Sequence, residues 1–168
     1  MSQSEIVFEA LHDDVRLPSR ATEHSAGYDL RVYLRGRSVR IRTVGGEERT
    51  AEVPDADTAA LTLEAGEVAL LPLGFKATLP DGFEAQIRMR SSWAFKFGLS
   101  LPNAPGTIDA DYPDEWMVMM KAADRRGAEI RHGDRVAQAV LSRFEALPWR
   151  PGPVGRRSDR TGGFGSTG

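Results

Sequence analysis

Almost every apolar stretch in this 168-residue chain is short, alternates with polar residues and stops at glycine, proline or aspartate. Such period-two runs bury one face of a strand and wet the other. Strands are expected at Ile6–Phe8, Glu67–Leu71, Phe75–Leu79, Phe83–Met89, Trp116–Lys121 and Arg135–Phe144, divided by turns such as Pro80-Asp81-Gly82 and His132-Gly133-Asp134. Ser91 to Gly98 is the one stretch suited to a short helix, and Thr58 to Leu63 reads equally as strand or helical turn. The fold class that follows is all-β, a jelly-roll or sandwich.

Ser38–Val44 and Glu47–Val53 flank Gly45-Gly46 and predict a hairpin with a two-residue turn, both glycines supplying positive φ. The five arginines between Arg31 and Arg42 are then expected to form one solvated strand face. Two regions are expected, a β domain over 1–154 and a glycine-rich arm over 155–168.

Apolar residues make up 40% and charged residues 27% of the chain, an ordinary globular composition long enough for one domain with a real core. A net charge of −2 argues against binding a nucleic acid polymer. No run of 18 apolar residues and no basic-then-apolar start occur, so no membrane span or signal peptide is expected and a cytoplasmic location is. Without cysteine, disulfides, thiolate zinc sites and thiol nucleophiles are excluded.

Five segments carry chemistry. Arg160-Thr161-Gly162-Gly163-Phe164-Gly165-Ser166-Thr167-Gly168 reads as a clamp: glycine lets backbone N–H groups approach phosphate, hydroxyls and arginine add donors, and one aromatic ring can stack on a base. A floppy polar terminus is the plain alternative. Asp29 follows Ala26-Gly27-Tyr28 at a strand edge, where a turn aspartate is the simpler reading. Arg90-Ser91-Ser92 opens the expected helix with donors suited to an anion or, equally, to capping. Asn103 to Tyr112 is a proline-glycine loop leading into Asp109, Asp111 and Tyr112, either a plain polar hairpin or a loop suited to a small polar ligand. Gln138 sits in Gly133-Asp134-Arg135-Val136-Ala137-Gln138, on an otherwise apolar strand, where a satisfied buried amide is the simpler reading.

In order and wording these five segments resemble the motifs of the trimeric dUTPase family over nearly the whole chain: Ala26–Leu30, Arg90–Ser92, Asn103–Tyr112, Gly133–Gln138 and Gly162–Gly168. The likeness departs at Met89, Ser92 and Pro113-Asp114, and the single residue between Arg160 and Gly162 leaves Arg156, Arg157 and Arg160 as alternative phosphate contacts. Residues from about 35 to 60 resemble an insertion, expected at the periphery of a trimer.

The resemblance implies a jelly-roll homotrimer hydrolysing dUTP to dUMP and pyrophosphate, with each site built from three chains. It makes Asp109 the base for the attacking water and Asp29 a contact to Mg²⁺ through water, the metal being held mainly by the triphosphate. Arg90, Ser91, Ser92 and Gln138 would serve the phosphates. Asn103 and the main chain of Gly106, Thr107 and Ile108 would read uracil, and Tyr112 would pack under the deoxyribose. Phe164 would stack on the base, with Arg160, Gly165, Ser166 and Thr167 closing over the phosphates. Two other functions are weighed beside this one: a deaminase resembling dCTP deaminase, which would release ammonia, and a module that senses dUTP without turnover.

Overall fold

The computed structural model describes residues 5–156 and Ser158. Fourteen strands and one helix follow along these residues. The strands are β1 (Val7–Ala10), β2 (Ser19–Arg20), β3 (Gly27–Arg31), β4 (Ser38–Arg42), β5 (Glu48–Glu52), β6 (Ala60–Leu63), β7 (Val68–Pro72), β8 (Phe75–Thr78) and β9 (Phe83–Met89), which runs into α1 (Ser91–Phe97). Then come β10 (Leu99–Ser100), β11 (Gly106–Ile108), β12 (Met117–Ala122), β13 (Ala128–Arg131) and β14 (Arg135–Arg143). The expected strands are present within a residue or two of their expected ends, and of Thr58–Leu63 the part Ala60–Leu63 forms strand β6 after a turn at Thr58.

Two five-stranded sheets, ordered β11-β9-β14-β3-β2 and β10-β12-β7-β4-β5, are accompanied by the pairs β1-β8 and β13-β6. This is an all-β, jelly-roll-type fold with open sheets. Every strand pairing among the described residues is antiparallel, and the central strands of the two large sheets turn one face to the core. From the first sheet Leu30, Ala85, Ile87, Ala137 and Ala139 face inward; from the second Ile41, Ala69, Leu71, Val118 and Met120 meet them. Burying each of the larger ones, Leu30, Ile87, Ile41, Leu71, Val118 and Met120, contributes about 1.5–3 kcal/mol, so the core rests on the alternation seen in the sequence.

Two local expectations need correction. The β4–β5 turn has three residues, Val44, Gly45 and Gly46, closed by Gly46 N–H to the Thr43 carbonyl (3.0 Å) and Thr43 N–H to the Glu47 carbonyl (2.9 Å). Only Gly46 needs positive φ, at 87°, because the turn ends in a left-handed residue that absorbs the extra length. Nor do the five arginines share one solvated face. Arg35 meets Asp14, Asp55 and Asp57, and Arg37 makes a two-pronged bond to half-buried Glu115 at 2.6 and 3.1 Å. Their partners come from other loops, which local alternation cannot reveal.

Candidate active site

Three of the five segments meet on the outer face of the β11-β9-β14-β3-β2 sheet. Asp29 of β3 lies directly opposite Gln138 of β14, which in turn lies opposite Arg88 of β9. Opposed residues in an antiparallel pair present side chains to the same face. Leu30 and Ala137, one residue along, point to the core instead. Gln138 bends over Gly27: a Cβ on that glycine would stand 2.9 Å from the Gln138 carboxamide carbon and 3.1 Å from its Cβ. The glycine two residues before Asp29 is therefore a steric requirement of the glutamine.

Asp29 is mostly buried, and both its oxygens are engaged. Arg90, at the end of β9, donates Nη1–H to one oxygen at 2.8 Å; Arg135, at the start of β14, donates Nη1–H to the other at 3.0 Å. Arg90 is also the N-cap of α1, so the ion pair fixes where that helix begins. The first-turn N–H groups of Ser91 and Ser92 have no acceptor within the helix and point toward this end of the sheet. Arg31, beside Asp29 on the same face, donates to the Gly133 carbonyl at 2.9 Å. Burial lowers its pKa, and Arg135, Arg16 and Arg90 lower it further against the opposing pull of Asp29. Several guanidiniums thus crowd around one carboxylate, leaving a surplus of positive charge suited to a polyanion.

The Asn103–Tyr112 loop sits elsewhere on the same sheet. β11 pairs with β9 at the edge, with Gly106 opposite Ile87, Thr107 opposite Gln86 and Ile108 opposite Ala85. Gly106 is buried over Asn103, whose Nδ2 lies 3.1 Å from where a Cβ on the glycine would be. Asp109 is exposed beyond the strand, its carbonyl accepting from Tyr112 N–H at 3.2 Å, and Tyr112 itself remains 36% exposed. Three strand spacings of about 4.8 Å and four residues of about 3.3 Å put Asp109 roughly 20 Å from Asp29 within one chain. Glu115 secures the exit of this loop by accepting from Gly74 N–H at 2.7 Å as well as from Arg37.

The structure therefore brings together Asp29, Arg90, Ser91, Ser92 and Gln138, and keeps Asn103, Gly106, Thr107, Ile108, Asp109 and Tyr112 as a second group. Arg157, Arg160, Phe164, Gly165, Ser166 and Thr167 lie outside the described residues. Reading the sequence missed Arg135 as a partner of Asp29, and Glu115 with Arg37 as the brace of the loop.

The dUTPase family model matches residues 57–168. A deoxyuridine 5'-triphosphate nucleotidohydrolase of Rickettsia felis is 39% identical over 153 residues, covering 90% of this chain and 88% of that protein. Among solved structures, a dUTPase from Streptococcus mutans aligns with a TM-score of 0.65 and 29% identity, over 84% of this chain and 98% of the other. A mutant dUTPase from phage phi11 of Staphylococcus aureus, described as revealing the coordination of a structural Mg(II) ion, aligns with a TM-score of 0.61 and 18% identity, over 92% and 98%.

Proposed function

The chain belongs to the dUTPase family, and we propose that it hydrolyses dUTP to dUMP and pyrophosphate as an Mg²⁺-dependent homotrimer. The observation that carries this reading is the convergence of Asp29, Arg90 and Gln138 on one cation-rich sheet face. The roughly 20 Å between that face and Asp109 supports completion of each site by a neighbouring chain.

In this reading the phosphates lie on the face of β3 and β14. Gln138 and Ser91 donate to phosphate oxygens, with the backbone N–H of Ser92 beside them, and Arg90 offsets their charge. Among the described residues no three His, Asp or Glu side chains group into a metal cage. Asp29, with each oxygen already held by a guanidinium, suits contact through water with a metal carried mainly by the triphosphate. When bound, Mg²⁺ neutralises phosphate charge and holds the chain in line for attack.

A second subunit supplies the β11 loop. Asp109, an exposed carboxylate, orients water and accepts its proton as attack on the α-phosphorus proceeds. Asn103 and the main chain of Gly106, Thr107 and Ile108 pair with the uracil edge; cytosine would leave those polar groups unpaired and is rejected. Tyr112 under the deoxyribose leaves no room for a 2′-hydroxyl. The arm over 155–168 closes from a third chain, Phe164 stacking on the base while Arg160, Gly165, Ser166 and Thr167 meet the phosphates, with Arg156 and Arg157 alternatives for the arginine contact.

One assay tests this. The protein is incubated with dUTP and with dCTP in Mg²⁺, and pyrophosphate and ammonia are measured. Pyrophosphate from dUTP alone is expected; ammonia from dCTP, or dUTP binding without pyrophosphate, would reject the reading in favour of a deaminase or a sensor.

A further inference from the structure

Strict alternation would put Arg135 and Gln138, three residues apart on β14, on opposite faces of the sheet. The β14–β3 register shows why it does not. Gln138 opposes Asp29 and Ala137 opposes Leu30, but the next pair is Arg135 with Arg31, so Val136 is an extra residue. Val136 and Ala137 are consecutive and both fully buried, as a bulge requires. The inserted residue flips the phase of the strand and turns Arg135 onto the face that holds Asp29 and Gln138. There it donates to the Asp29 oxygen that Arg90 leaves open.

We infer that Arg135 is a positioning residue: the bulge at Val136 aims it at Asp29, and Arg135 and Arg90 together lock the carboxylate in one orientation between β3 and the start of α1. Without Arg135, the Asp29 carboxylate is free to rotate and to take both donors of Arg90, drawing that guanidinium and the Ser91-Ser92 backbone away from the anion site. Arg135 thus acts through Asp29. The inference rests on the reading of this face as the phosphate site.

A double-mutant cycle tests it, because the effect of a residue acting through another disappears when the second is removed. Affinity for a non-hydrolysable α,β-imido analogue of dUTP is measured by calorimetry in Mg²⁺, alongside kcat, KM and melting temperature, for wild type, R135Q, D29N and R135Q/D29N. R135Q is expected to weaken analogue binding about tenfold when Asp29 is present and less than twofold in the D29N background. An equal loss in both backgrounds, or no loss in either, overturns the inference. Should R135Q fail to fold, R135K carries the same cycle with the same criterion, since lysine keeps the charge without the reach of the guanidinium. Failure of the wild type to bind the analogue would reject the phosphate-site reading itself and is seen before any variant is compared.

Discussion

Gly27→Ala isolates the contribution of a single side chain that the substitution never touches. The added methyl would fall 2.9 Å from the Gln138 carboxamide carbon, closer than carbon atoms approach, and a tight 3.1 Å from its Cβ. Gly27 already lies in a β-strand, so the methyl is barred by crowding rather than by the backbone. The far end of Gln138 can swing away, which keeps the cost in folding near the low end of the overpacking range, about 1 kcal/mol, or a melting shift of about 2–4 °C. The displaced carboxamide no longer reaches a phosphate oxygen. A hydrogen bond to a charged group is worth about 1.5–3 kcal/mol, so kcat/KM for dUTP should fall about 10- to 150-fold. Steady-state pyrophosphate release and thermal melting, measured on G27A, Q138A and G27A/Q138A, decide it. The double variant should be no slower than Q138A and should recover most of the melting loss. A folded G27A with wild-type kcat/KM would refute both the crowding argument and the phosphate contact.

Four further outcomes are expected. Asp109→Asn should keep affinity for dUTP while turnover drops about 10²-fold or more; near-normal turnover removes Asp109 from its role as base. Tyr112→Ala should narrow the ratio of catalytic efficiencies for dUTP over UTP, and an unchanged ratio would leave Tyr112 as packing only. Arg49, bonded to Glu67 at 2.8 and 3.0 Å, holds that carboxyl below its ordinary range against the opposing effect of burial. The depressed group stabilises the fold above its unfolded value of 4.5 and loses that contribution as acid protonates it. The melting advantage of wild type over Glu67→Gln should therefore hold from pH 7 to 5 and shrink below pH 4.5; a constant advantage down to pH 3 contradicts the sign. Finally, chains ending before Arg160, mixed and exchanged with Asp109→Asn chains, should regain activity that neither possesses alone, and no recovery after proven exchange would rule out sites shared between subunits.

Strand content was legible because alternation is a local property: Ala85, Ile87 and Ala139 announce a buried face from spacing alone. The candidate site residues Asp29, Arg90, Ser91, Asp109 and Gln138 are marked in the sequence by their chemistry and order, each standing in a recognisable phrase. Arg135 stands in one of these phrases with its role hidden, because face assignment by counting fails across a bulge and nothing in Arg-Val-Ala-Gln marks Val136 as extra. The pairing of Arg37 is hidden for a different reason. Its partner Glu115 lies 78 residues away, so its half-buried pairing depends on the folding of two distant segments together. The β4–β5 turn was misread because paired glycines suit both two- and three-residue connections, and the backbone register between flanking strands selects one.

β5 closes the β10-β12-β7-β4-β5 sheet with the sequence Glu-Arg-Thr-Ala-Glu, and it is exposed along nearly its whole length. Its neighbour β4 alternates buried Val39 and Ile41, a pattern that would offer a fresh pairing edge to any passing chain if it ended the sheet. β5 occupies that edge and replaces it with one bearing charge of both signs, which repels a second sheet approaching in register. Removing the hairpin arm 43–53 would uncover that edge and would also take away buried Val53 and the Arg49 partner of Glu67, so colloidal solubility and fold stability would fall together.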